Sequence, residues 1–393
     1  MTNESLARSL VIGFEPPARS PGGIARYTRE LVTALESIAH AENQSADELR
    51  PRPDITRTQV WERLRPLAAR AWAGGVRAGF GAHIGGATSP SAARDDPHRA
   101  QAFTFHATSV LAPPRGAHPL VVTVHDTVPF THPQTLTPHG ATWHQRMITR
   151  AVRDADAIVV PTQAVKRSLV TEFASVDVSS RIHVAGGAAS LEPVSSVDAR
   201  ELLEACGVSG RPYVIFVGTI EPRKGLDVLI QAIGLRTDLD LVIVGAQGWG
   251  GVDLRALMVQ ARVDSSRVVV TGALHDIAVA ALIQQARALV LPSQAEGFGL
   301  PVVEAMRLGT PVVVSDDAAL SEVVAGAGVI ASIVGCDRSN PSSIRAAAHV
   351  LNEALDVALE HRDSLIHSGV LRAHAFSWRA TAQTVLGIHD QLQ

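Results

Sequence analysis

The sequence predicts an α/β protein made of two doubly wound parallel sheets, and three observations predict it. From Arg211 onward, short valine-rich runs alternate strictly with helical segments, the order expected when helices cover both faces of a parallel sheet. The first half starts the same alternation independently. The two series join around residues 186–200, where GGAASLEPVSS reads as a linker. The expected domains are therefore residues 1–192 and 193–376, with 377–393 as a closing helix.

SLVIGFEP reads as the first strand, and SPGGIARYTRELVTALESI after it puts Ile24, Tyr27, Leu31, Leu35 and Ile38 on one helical face. Residues 40–100 are rich in Ala, Arg, Pro and Gly with little periodicity, and read as helices with a mobile loop. PLVVTVHDT and DADAIVVPT follow as strands whose unbroken apolar runs suit a sheet buried on both faces. AVKRSLVTEF reads as a helix and RIHVAGG as a strand. The second series gives strands RPYVIFVGT, LDLVIVGA, RVVVTG, RALVLPS and TPVVVSD. The helices GLDVLIQAIG, LRALMVQAR, IAVAALIQQA and PVVEAMRLG separate them, and FSWRATAQTVLGIHDQL is helical at the end. Both halves read as Rossmann-like.

The bulk composition excludes several classes. A chain of 393 residues, 46% hydrophobic, has enough apolar surface for two cores. A net charge of -3 gives no electrostatic footprint for nucleic acid. Cys206 and Cys336 stand far apart with no CxxC, so structural roles in a reducing cytoplasm are expected. Sixteen histidines are scattered without metal-ligand spacing. The start of the chain lacks a signal-like apolar stretch, and no run approaches the ~18–20 residues that span a bilayer. A soluble or peripheral protein is expected.

Unusual residues gather where strands hand over to helices, the edge at which open parallel sheets bind ligands. In GTIEPRKGL, Gly218 permits a tight turn, and Arg223 with Lys224 places a fork and a point charge at a helix mouth, which suits a diphosphate. In EGFGLPVVE, Glu296 and Glu304 stand with seven residues between them. Glu304, expected on the first helical turn, could accept hydrogen bonds from a ribose diol, while Gly297 and Gly299 let backbone N–H groups approach phosphate or sugar oxygens. VGAQGWGG, with Gly245, Gly248, Gly250 and Gly251, is either a ligand loop or turn chemistry. In the first half, Gly22 and Gly23 open a helix N-terminus that could cradle an anion. His125 and Asp126 end a strand; the imidazole could donate to a sugar hydroxyl, with Asp126 orienting it or a substrate. His106 is a second candidate of that kind.

Together these stretches resemble the retaining glycosyltransferases of family 4, with the GT-B fold of two Rossmann-like domains facing across a cleft. The resemblance rests on GGIARYTREL, the HD of VTVHDTVPFTHP, ADAIVVPT, GTIEPRKGLDVLIQA, LVIVGAQGW and, most specifically, EGFGLPVVEAMRLGTPVVVSDDAALSEV. It implies that the helix beginning in FSWRATA crosses back to the first domain. It also implies that Arg223 and Lys224 hold the nucleotide diphosphate without a metal and that Glu304 takes the ribose hydroxyls. Glu296, with the backbone of Gly297, Phe298, Gly299 and Leu300, would hold the transferred sugar, and His125 would touch its reacting face. Gly22 and Gly23 would line the acceptor side and the phosphates. EPRK, GIARYTREL and HDTVPFTHP are most similar to the bacterial mannosyltransferase-like branch, which implies GDP-mannose as donor. The implied acceptor is a glycan or lipid-linked sugar, the latter bringing peripheral contact with the inner membrane face. RIHVAGGAAS departs from the family's usual linker strand, and residues 40–100 match nothing in it.

The rival readings are a UDP-sugar transferase, an epimerase or phosphorylase of the same fold, and a non-catalytic nucleotide-sugar-binding protein. A nicotinamide or flavin oxidoreductase would need GxGxxG in its first strand–turn–helix, which Gly22-Gly23 does not supply.

Overall fold

The computed structural model describes residues 9–13, 22–44, 55–58, 103–208 and 210–392. In the amino-terminal half, β1 (Ser9–Gly13) leads into α1 (Gly23–Gln44), followed by β2 (Ile55–Thr58), β3 (Phe103–Ala107) and β4 (Leu120–Thr123). After them come α2 (Val128–Thr131), α3 (Pro138–Asp154), β5 (Ala157–Val160), α4 (Gln163–Glu172) and β6 (Ile182–Val184). The six strands form a parallel sheet in the order β2-β1-β3-β4-β5-β6. Alternation along β4 and β5 explains their unbroken apolar sequence, since successive side chains enter opposite cores. Val122, Ile158 and Val160 pack with Ile148 and Val152 of α3 and Leu169 of α4. Val121, Ala157 and Val159 pack with Tyr27, Leu31 and Leu35 of α1.

The carboxy-terminal half starts with α5 (Ser196–Ala205), which Ser195 caps through Asp198 N. There follow β7 (Tyr213–Val217), α6 (Leu226–Gly234), β8 (Asp240–Val244), α7 (Leu254–Ala261), β9 (Val268–Gly272) and α8 (Asp276–Gln285). The series continues with β10 (Leu289–Leu291), α9 (Leu300–Arg307) and β11 (Val312–Ser315). With β12 (Val329–Ala331) a second six-stranded parallel sheet results, in the order β12-β11-β10-β7-β8-β9. The order reverses around β7 and β10, which places the loops after these two strands side by side at the switch point.

Several elements go beyond the sequence reading. The reading stops at β11, whereas the structure adds α10 (Ala318–Val324), β12 (Val329–Ala331), α11 (Pro341–Glu360) and α12 (Arg362–Ala373). RIHVAGG keeps only Ile182–Val184 as strand. Within residues 40–100, the tail of α1 and β2 are described and the rest lies outside the described residues.

The last helix, α13 (Trp378–Gln391), packs on the amino-terminal half: Ala382, Val385 and Ile388 complete the core with Ile12, Tyr27 and Leu31. Thr381 Oγ1 donates to Gly186 O at 2.6 Å and Trp378 Nε1 donates to Ser190 Oγ at 3.1 Å, tying this helix to the linker. Among the described residues no helix is long and apolar enough to cross a membrane.

Candidate active site

The loops after β7 and β10 form one unit. Gln294 N donates to Arg223 O at 2.7 Å, and a Cβ at Gly225 would meet Pro292 O at 2.1 Å. Gly225 also has φ +75°, so backbone contact and conformation both demand glycine there. Pro222–Lys224 make a single 3-10 turn that aims two cations at one carboxylate. Arg223 Nη1 donates to Glu296 Oε2 at 2.9 Å, and Lys224 Nζ donates to Glu296 Oε1 at 2.6 Å. Arg223 Nη1 also donates to Ala295 O at 2.7 Å, and its Nε lies 2.7 Å from Glu221 without hydrogen-bond geometry. Burial pushes the Glu296 carboxyl up, but the two cations outweigh it and hold the group at about 2. Glu221, only 1% exposed, goes the other way: burial raises it against the same cations.

Arg223 is thus a strut between two carboxylates and a carbonyl as much as a free anion receptor. Gly218 lies beside it; a Cβ there would meet Phe216 at 3.3 Å and Lys224 Cε at 3.7 Å. The VGAQGWGG loop packs onto this turn. A Cβ at Gly245 would fall 1.9 Å from Gly218 O, and Gly250, at φ +82°, sits against Pro222. Close approach to the Gly218 carbonyl therefore accounts for Gly245, and positive φ against the Pro222 ring for Gly250.

Glu304 is the fifth residue of α9, one turn in, and not on the first turn as expected. It is 1% exposed, and Arg26 of α1 donates Nη1 to its Oε1 from the opposite domain. The same guanidinium gives Nη2 to Asp276 at the start of α8. Burial raises the Glu304 carboxyl to about 7, with Arg26 opposing the rise.

The run between the glutamates is pressed against the other domain. A Cβ at Gly297 would lie 1.8 Å from His125 O, and Thr162 Oγ1 donates to Gly297 O at 3.0 Å. Gly299, at φ +90°, is the N-cap of α9. The Phe298 ring stacks edge-on with Phe376 at 5.5 Å and touches the linker at Gly186 and Gly187, where Leu300 also packs. These two side chains pack on the linker and are not turned toward a ligand by any contact among the described residues.

His125 Nε2 faces Thr108 O at 2.8 Å, and since a carbonyl only accepts, this nitrogen carries the proton. Burial lowers the imidazole's pKa, with the Thr108 bond and Asp126 opposing. Tyr27 stands edge-on at 5.0 Å. Asp126 does not hydrogen-bond to His125; its Oδ1 accepts from Val128 N at 3.1 Å at the head of α2. His106 is excluded from the cleft. It is 0% exposed, paired with Thr123 Oγ1 at 2.9 Å and 5.6 Å from the His389 ring of α13. Gly22 and Gly23 are exposed at the head of α1, where an added Cβ meets nothing within 4 Å among the described residues. Residues 14–21 before that helix lie outside the described residues.

Sequence reasoning missed Arg26, Glu221 and Asp276, and also two cross-domain ties. Glu322 accepts from Gln163 N at 2.7 Å and Ala164 N at 2.8 Å, capping α4 from the other domain. Trp249 Nε1 donates to Thr135 O at 3.0 Å. Aromatic or acidic residues in these loops were visible, but no local spacing names a partner more than a hundred positions away. Among the described residues no group of three or more His, Cys, Asp or Glu could hold a metal ion.

Two parallel-sheet domains meeting at their strand ends, with cations and buried carboxylates on the meeting edges, make up the GT-B fold. Residues 204–368 match the family described as glycosyl transferases group 1, so the carboxy-terminal half carries a glycosyltransferase group 1 domain. It is 28% identical over 292 residues to O-antigen chain mannosyltransferase B of Escherichia coli, covering 72% of this chain and 73% of that protein. It is also 28% identical over 300 residues to MMP alpha-(1->4)-mannosyltransferase of Mycolicibacterium hassiacum, covering 72% and 68%. Its fold is similar to that of Anabaena HepE in complex with UDP and glucose, with TM-score 0.65 at 17% identity over 98% of this chain and 100% of that one.

Proposed function

We propose that the protein transfers mannose from GDP-mannose, with retention of configuration, to a glycan or lipid-linked saccharide. The observation that carries this reading is the Arg223–Lys224–Glu296 cluster at the switch point. Glu296 stays ionised there, so it can accept from sugar hydroxyls, while the two cations lie where a leaving diphosphate gathers charge. In the transfer the C1–O bond to phosphate breaks and a C1–O bond to the acceptor forms on the same face. The acceptor hydroxyl proton passes to the departing phosphate oxygen, so no side chain acts as nucleophile or base. Arg223 and Lys224 neutralise the leaving group without a metal, Glu304 takes the ribose diol, and neutral His125 borders the reacting sugar. The mannosyltransferase names of the two relatives support the donor sugar.

A UDP-sugar donor is the second reading, favoured by the fold shared with a protein solved with UDP and glucose. Thermal-shift titration with GDP, UDP, ADP and NAD, with and without magnesium, separates the readings, because ligand at ~100 times Kd stabilises by roughly 2.7 kcal/mol. GDP-selective stabilisation unaffected by EDTA, followed by mannosyl transfer from GDP-mannose, is the expected result. Preference for UDP would replace the donor, a strict magnesium requirement would overturn metal-free neutralisation, and binding without transfer to any acceptor would leave a non-catalytic binder.

A further inference from the structure

We propose that Arg26 is a positioning residue of the donor site: reaching across from the amino-terminal domain, it holds Glu304 and Asp276 so that the ribose-receiving carboxylate is complete only when the domains close. The inference rests on the reading of Glu304 as that carboxylate. It starts from one guanidinium and two carboxylates that lie 278 and 250 positions away in the chain. The Arg26 side chain is 13% exposed and that of Glu304 2%. A fork is required, because one Nη reaches α9 and the other reaches α8; a lysine would offer a point charge in place of two divergent donors.

The consequence for Glu304 is electrostatic. Buried at the heart of the interface, its carboxylate has, among the described residues, one cation in reach, Arg26, and faces two like charges, Glu30 of α1 and Asp276 of α8. Arg29 adds a second cation to Asp276 at 3.4 Å and so partly screens that carboxylate. An ionised Glu304 can accept from both hydroxyls of a diol, whereas a protonated one must donate through one oxygen. Arg26 therefore sets the charge state as well as the direction of the group. Because Arg26 belongs to the other domain, it does both only in the closed arrangement. The structure keeps that arrangement with the Gly297–His125 approach, the Thr162–Gly297 bond and the Glu322 cap on α4.

Calorimetric titration of GDP and UDP into wild type, Arg26→Gln, Arg26→Lys, Glu304→Ala and the Arg26→Gln/Glu304→Ala pair, between pH 6 and 9, tests this. The loss of one charge-assisted bond should weaken the preferred nucleotide about tenfold near neutrality in Arg26→Gln. That deficit should shrink as pH rises, because without its cation Glu304 ionises only at higher pH. Arg26→Lys, which keeps the charge and loses the fork, should recover part of the affinity. In the Glu304→Ala background, Arg26→Gln should add little. An Arg26→Gln variant that binds like wild type with an unmoved pH profile overturns the proposal and leaves the donor-site reading standing. One that binds more tightly overturns it too, by making Arg26 a competitor of the nucleotide. A wild type that binds neither nucleotide, or a Glu304→Ala variant with undiminished affinity, overturns the donor-site reading and this inference with it.

Discussion

Glu296 and Glu304 close the two ends of one nine-residue run, the first half-buried with its side chain largely covered and the second buried, yet their carboxyls are driven to about 2 and about 7. The difference lies in the partners. Glu296 receives Arg223 and Lys224, both supplied by a neighbouring turn of its own domain and fixed by the Gln294–Arg223 backbone bond. Among the described residues Glu304 receives Arg26 alone, from the other domain, and Arg26 is shared with Asp276. Burial penalises both anions alike; the number and ownership of the cations decide the outcome. One end of the run is preorganised within a domain, and the other is assembled only between domains.

The strongest way to break the contrast is to remove a cation at the preorganised end. Lys224→Ala should lower kcat by roughly 10²–10³-fold, the loss typical of a donor aimed at developing charge, as measured by initial rates with saturating donor. Gly297→Ala should follow at about a hundredfold, since the new methyl meets the His125 carbonyl and displaces the loop by an ångström or more. A Gly297→Ala enzyme with normal kinetics would mean that turnover does not use this closed contact.

A kinetic split sharpens the comparison. Glu296→Gln should lower kcat by about a hundredfold while nucleotide affinity changes little. Glu304→Ala should weaken nucleotide binding by about tenfold with a smaller effect on saturated turnover. Equal effects of both variants on kcat and affinity would remove the functional distinction between the two ends.

The smallest expected effect is on stability, and it has opposite signs. Glu296 has a lowered pKa, so its contribution is present above the unfolded value near 4.5 and is lost as pH falls toward about 2. Glu304 has a raised pKa, so its contribution is present below that value and is lost as pH rises through about 7. Glu296→Gln should therefore melt lower than wild type at pH 7, with the gap closing in acid. Glu304→Gln should gain on wild type by about 1–3 kcal/mol between pH 5 and 8. Denaturant melts across that range give the sign directly.

The division between legible and hidden features follows the same line. GTIEPRKGL and EGFGLPVVE were readable because strand-end glycines, a cation pair and paired carboxylates are local signals, and β7 and β10 bring them together as a doubly wound sheet requires. The roles of Phe298 and Leu300 were not readable, because an apolar residue beside a glycine does not reveal that it packs on the linker at residues 186–187. His106 resembled His125 in its strand-end setting, and only the position of α13 shows that it is sealed in the core beside His389.

The sequence by itself determined the alternation of strands and helices, the burial of both sheet faces and the chemistry of each strand-end loop, because periodicity and glycine placement act over a few residues. The tertiary structure alone decided which charges meet. Arg26 reaches Glu304, Glu322 caps α4 and Gly297 touches His125 because two separately folded sheets dock edge to edge, and that docking depends on the shapes of both surfaces.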